Sequence, residues 1–80
     1  MNAKMQIIDA TWLLLKNGYE ECEDDEQNRV YVRDAIEVRL RIALDGGIRI
    51  VILLPNGREI TCFSLDGLNH YLLNDYLLNG

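Results

Sequence analysis

Between positions 36 and 44 the chain alternates strictly. Ile36, Val38, Leu40, Ile42 and Leu44 fall on one parity, and Glu37, Arg39, Arg41 and Ala43 on the other. A period of two sends successive side chains to opposite sheet faces, so this stretch reads as a strand with one buried and one solvated side. The same period runs through Val30 and Val32, set between Arg29, Tyr31 and Arg33, until Asp34 falls on the apolar parity. That break predicts a bend or bulge at Asp34-Ala35 within one long strand.

Two glycine-bearing segments, Asp45-Gly46-Gly47 and Pro55-Asn56-Gly57, then separate further apolar runs. As three-residue loops they pair Leu44 with Ile48, Ile42 with Ile50 and Leu40 with Ile52, then Leu54 with Arg58, Ile52 with Ile60 and Ile50 with Cys62. Even residues stay opposite even residues, so one face remains apolar across three strands. A two-residue Asn-Gly turn would set Ile60 opposite Leu53 and exchange the faces, which a buried side forbids. Positions 19–23 form a weaker strand, because their acids have poor strand propensity, and 24–28 a solvated turn.

Helical periodicity brackets this region. Over 3–17, Met5, Ile8, Trp12 and Leu15 form one stripe at 100° per residue, extended by Ile7 and Leu14 through Thr11, with Leu13 on the polar side. That stripe is expected to face the core, with Asn2 as N-cap and Gly18 just past the helix end. Over 65–78, Ser64 caps a second helix, Asp66 sits near its positive end, and Leu65, Leu68, Leu72 and Tyr76 give the core stripe. Gly67 weakens the first turn, and Asn79-Gly80 ends the helix. At 80 residues there is room for one domain, 1–80. The expected fold is α+β: helix, antiparallel meander of three to four strands, helix, with the helices packed on one sheet face.

Net charge is −5, but Glu20, Glu21, Glu23, Asp24, Asp25 and Glu26 place six of the thirteen acids in seven residues. The remaining seven acids meet eight basic residues, so the rest of the molecule is close to neutral. The two cysteines, Cys22 and Cys62, form no dense framework and no secretory leader is read, so a reduced, cytoplasmic protein is expected. The apolar run at 50–54 is far shorter than the ~20 residues of a membrane-spanning helix.

The chain offers little to catalysis. Its one histidine, His70, lies on the polar side of the last helix one turn after Asp66, with no third group to complete a triad. Zinc requires clustered Cys and His, and a calcium loop requires regularly spaced oxygens around a glycine; neither pattern occurs. No enzymatic activity, metal or cofactor is expected.

Leu14 to Glu21, Leu-Leu-Lys-Asn-Gly-Tyr-Glu-Glu, is similar to the helix-to-strand passage of small toxin ribonucleases of the HicA type, which share an α-β-β-β-α layout. The Gly-Ser-His motif that follows in that family is missing here, and the acidic run stands in its place. The likeness stops where the catalysis would be.

Binding remains. The acidic run (Glu20, Glu21, Glu23, Asp24, Asp25, Glu26) suits a protein with a basic surface, since clustered charge raises association rate. The solvated sheet face, read as carrying Tyr31, Arg39, Arg41, Arg49, Leu53 and Phe63 with Glu37, Glu59 and Val51, suits the same partner or a nucleic acid. The acidic run disfavours nucleic acid, whose phosphates supply most non-specific affinity. Surplus apolar residues on the last helix, Tyr71, Leu73, Leu77 and Leu78, suit a homodimer or subunit contact. In size and charge the chain resembles phage or mobile-element accessory proteins, including anti-CRISPR inhibitors. That resemblance implies occlusion of a basic surface on a host nucleic-acid-handling protein.

Overall fold

The computed structural model describes residues 3–24 and 28–79, with side chains for all of these except 3, 23, 24 and 75–79. Helix α1 (Ala3–Lys16) leads into strands β1 (Glu20–Asp24), β2 (Asn28–Arg33), β3 (Ile36–Ile42), β4 (Ile48–Leu53) and β5 (Glu59–Cys62), and helix α2 (Leu65–Asn79) follows. The strands form one antiparallel sheet in the order β1-β2-β3-β4-β5, so each pairs with its neighbour in the chain. The fold is α+β, with five strands rather than three or four. The acidic segment does pair, and the single long strand expected over 29–44 is two.

Those two strands meet at a two-residue hairpin turn. Asp34 and Ala35 both have positive φ, 50° and 67°, and Arg33 pairs directly with Ile36. Left-handed conformation at both central residues is the signature of a type I′ turn. The turn crosses parities: Tyr31 pairs with Val38, and Val30 with Arg39. Odd residues of β2 therefore share a face with even residues of β3. This moves Tyr31 onto the apolar face, where it is fully buried. Asp tolerates a left-handed φ, whereas an alanine there costs roughly 1–2 kcal/mol. Ala35→Gly is therefore expected to stabilise the protein by about 0.5–1 kcal/mol and raise Tm by a few degrees. A lower Tm would show that the turn does not hold this conformation.

The β4–β5 register is the expected one, with Ile52 opposite Ile60 and Ile50 opposite Cys62. The β3–β4 register is shifted by two: Ile42 pairs with Ile48, Leu40 with Ile50 and Val38 with Ile52. A wider loop closes it, with the Ala43 N–H donating to the Gly47 carbonyl at 2.7 Å and Gly46 N–H to the Ala43 carbonyl at 2.9 Å. A shift of two preserves the faces, so the core survives and only Leu44 is displaced, fully exposed, into the loop.

One core joins both helices to one sheet face. Val38, Leu40, Ile48, Ile50, Ile52 and Tyr31 from the strands pack with Ile7, Ala10 and Leu14 of α1 and Leu68 and Leu72 of α2. The α1 residues overturn the expected orientation of that helix. Its stripe of Met5, Ile8, Trp12 and Leu15 points outward, and the face centred on Ala10 and Leu14 points in.

Long-range contacts decide this rotation. Ala10 lets the helix backbone lie close on the sheet, and Thr11 Oγ1 hydrogen-bonds the Tyr31 hydroxyl at 3.0 Å. The helix ends in a Schellman motif: Tyr19 N–H donates to the Leu14 carbonyl at 3.0 Å, Gly18 N–H to that of Leu15 at 3.1 Å, and Gly18 has φ 87°. This draws Tyr19 and Leu14 into the core together. Arg33 adds a charged cap, its Nη1 donating to the Asn17 carbonyl at 2.9 Å at the negative end of the helix.

Helix α2 begins as expected, with Gly67 N–H donating to Ser64 Oγ at 3.2 Å. A Cβ at Gly67 would lie 3.2 Å from that of Cys62, so glycine here allows the helix to approach β5 closely. Asn2 and the side chain of Tyr76 lie outside the described residues.

Candidate functional site

Three surfaces follow from this packing. The first is the outer face of α1, where Met5 is 59% exposed, Ile8 61%, Trp12 61% and Leu15 50%. Their spacing, at i, i+3, i+7 and i+10, is that of a helix face made to meet an apolar partner. Lys16 Nζ lies 4.8 Å from the centre of the Trp12 ring, and holds one edge of the stripe. At the other end an open recess of about 470 Å³ is walled by Ile7, Ile8 and Ile42 and rimmed by Lys4 and Arg29. None of these residues is among the binding candidates of the sequence, because helical periodicity assigns the stripe to the core. The available sequence signal was its flanks: Lys4 on one side and Asp9 with Lys16 on the other bound this stripe, whereas Ala10 centres the opposite face.

The second surface is the acidic edge. Strand β1 pairs only with β2 and leaves its other side open. Glu20 and Glu21 are exposed there. Glu20 pairs with Val32 and Glu21 with Tyr31, which places them on opposite faces of the edge strand. The register then slips between Glu21 and Glu23, a β-bulge that leaves Cys22 without a partner residue. Bulge and charge together discourage a second sheet from adding to this edge. Glu23 and Asp24 are seen only as paired backbone, and Asp25 and Glu26 lie outside the described residues.

The third surface is the sheet face turned away from the helices. Cross-strand pairing sorts it into rows. Glu20, Val32, Glu37, Leu53 and Glu59 lie at one end, Val30, Arg39, Val51 and Thr61 across the middle, and Asn28, Arg41 and Arg49 at the other end. Among the described side chains the acids lie at one end and Arg41 and Arg49 at the other, with Arg39 between them; the backbone of Glu23 pairs with Val30 in the middle row. Arg39 Nε donates to Glu37 Oε2 at 2.6 Å within its own strand. Leu53 and Val51 are half-buried, and Val30 is buried even on this face. Tyr31 is absent from it. Phe63 stands just beyond the last paired residue of β5, 71% exposed.

On α2, Tyr71 is half-buried and packs against the core, so its ring is largely committed, and Leu73 is exposed. The side chains of Leu77 and Leu78 lie outside the described residues. His70 and Asp66 are both exposed on the same helix. Among the described residues no group of three His, Cys, Asp or Glu side chains is placed to hold a metal ion. Both cysteines are free; Cys22 is exposed, while burial pushes the Cys62 thiol above its ordinary pKa and disfavours the thiolate. No helix among the described residues is long and apolar enough to cross a membrane.

Comparison with protein-family models, curated proteins and solved structures finds no match. The functional reading therefore rests on these surfaces alone.

Proposed function

We propose that the chain is a protein-binding module that covers a basic surface on its partner. The observation that carries this reading is the exposed stripe of α1, four large apolar side chains including the only tryptophan. Side chains of this kind supply the few contacts that dominate protein interfaces, and tryptophan is prominent among them. The helix runs through Gly18 into the exposed acids of β1, against which it packs. An apolar ridge beside an acidic edge is complementary to an apolar groove with a basic rim. The ridge sets affinity and the acids set encounter rate and partner choice. Occlusion of a host nucleic-acid-handling protein by a phage or mobile-element inhibitor is the narrower form of this proposal.

The burial of Tyr31 weighs against the nucleic-acid reading, because the arginine face then lacks its central aromatic ring for stacking bases. The α2 homodimer reading keeps Leu73 as its one exposed apolar side chain among the described residues of that helix.

The test is a tagged pull-down from nuclease-treated lysate, read by mass spectrometry, with Trp12→Ala and the pair Glu20→Gln, Glu21→Gln beside the parent. One defined protein should be retained by the parent, fall at least tenfold with Trp12→Ala, and weaken in the charge variant, consistent with a hot spot worth about 2 kcal/mol or more. Retention that needs intact nucleic acid, or that ignores Trp12, rejects the proposal.

A further inference from the structure

We propose that Arg41 and Arg49 form a clamp for one carboxylate, carried on an otherwise apolar peptide segment that lies across the open sheet face. The β3–β4 register sets these two arginines directly opposite each other. Like charges in that position destabilise a sheet unless an anion lies between them.

The neighbouring arginines already have local roles. Arg39 bonds Glu37, Arg33 caps α1 and pairs with Asp34 at 3.4 Å, and Arg29 Nη1 reaches Thr11 Oγ1 at 3.4 Å. No described acidic side chain pairs with Arg41 or Arg49.

Two recesses of the surface share both arginines. One, of about 260 Å³, extends over Asn28, Arg39, Val51, Leu53 and, at its far end, Glu59; the other, of about 350 Å³, extends over Ala43, Leu44 and Asp45, whose Oδ1 already accepts from the Gly47 N–H at 2.9 Å. An anion held between the guanidinium groups thus has Val51 and Leu53 on one side and Ala43 and Leu44 on the other, with Glu59 and Asp45 as the acidic residues lining the two recesses. Planar guanidinium forks match the two oxygens of a carboxylate.

The rest of the face argues for a peptide over a polyanion. The apolar side chains lining the two recesses are aliphatic, and the one exposed ring nearby, Phe63, stands beyond the end of β5 and lines neither recess, so a base has no stacking platform beside the arginines. Glu20, Glu37 and Glu59 occupy the far end of the same sheet face and repel any chain of phosphates laid along it. A single carboxylate flanked by apolar side chains meets neither obstacle. The site lies on the opposite sheet face from α1, so it is independent of the binding proposed there.

Fluorescence anisotropy on the full chain tests this with three probes labelled at one end: the C-terminally amidated peptide Ala-Leu-Glu-Leu-Ala, its amidated Ala-Leu-Gln-Leu-Ala counterpart, which has no carboxylate, and a ten-nucleotide oligothymidylate. The glutamate peptide should bind at least tenfold more tightly than the glutamine peptide. That preference should shrink with added salt and vanish in the Arg41→Ala, Arg49→Ala double variant. Because the two charges oppose each other, the double variant should also melt no lower than the parent when no ligand is present. Equal affinity for the two peptides, no binding of either up to millimolar concentration, tighter binding of the oligonucleotide, or a lowered melting temperature in the double variant would each overturn the clamp.

Discussion

Tyr31→Ala should remove about 3–5 kcal/mol of stability, the usual cost of truncating a fully buried aromatic side chain. Against the roughly 4–12 kcal/mol expected of an 80-residue domain, that is a large share of the total. Tyr31→Phe separates the ring from its hydroxyl. It keeps the packing, gives up the bond to Thr11, and should cost about 1 kcal/mol. Urea unfolding measures both, with the midpoint moving and the slope unchanged if only the native state is affected. On the solvated face, where simple strand alternation puts this residue, neither change would matter much. A loss below about 1.5 kcal/mol for Tyr31→Ala would therefore return the side chain to that face, since surface changes stay within about 0.5 kcal/mol.

The second large effect concerns the rotation of α1. Leu14→Asp places a carboxylate in the centre of the core with no partner charge, and should unfold the protein at neutral pH. Ile8→Asp, less than two turns away on the same helix, should shift Tm by only a few degrees, because most of that side chain is already in water. Circular dichroism melts of the two variants decide the matter. If Ile8→Asp unfolds the chain and Leu14→Asp does not, the helix lies the other way round and the exposed stripe is core. If the stripe is exposed, Ile8→Asp provides a folded variant that should no longer retain a partner.

Sheet residues 36–44 were legible because their alternation is unbroken, and those after them because a buried face allows no odd shift across the glycine loops. The β3–β4 register was missed by two for the same reason: Ile42 opposite Ile48 and Ile42 opposite Ile50 leave the identical face buried. The turn at Asp34-Ala35 showed only as a break in parity, which reads as a bend within one strand and not as a chain reversal, since alanine is a poor choice for positive φ and glycine or asparagine is the usual marker. That one omission carried Tyr31 to the wrong face. Helix α1 was ambiguous in another way. Apolar residues surround much of it, and the choice between faces lies in contacts from Tyr31 and Tyr19, distant in the chain or beyond the helix. Arg39, Arg41 and Arg49 share one face as expected, the first two through the unbroken alternation and Arg49 through the even shift that keeps the faces.

The strict chain order of the sheet also sets a timetable for synthesis. Each hairpin can close as soon as its second strand is released, so most of the sheet forms from short-range steps of the kind that fold in milliseconds or less. Helix α1 is made before the strands, yet its inward residues rest on β3 and β4, which are complete only about twenty-five to forty residues later. At ribosomal rates of 5–20 residues per second, that is a wait of several seconds. Throughout it, both apolar sides of one short helix stand in water. The nascent chain is then most exposed to chaperones and to misassociation at its amino-terminal helix, the element that in the finished molecule still leaves one of those sides uncovered.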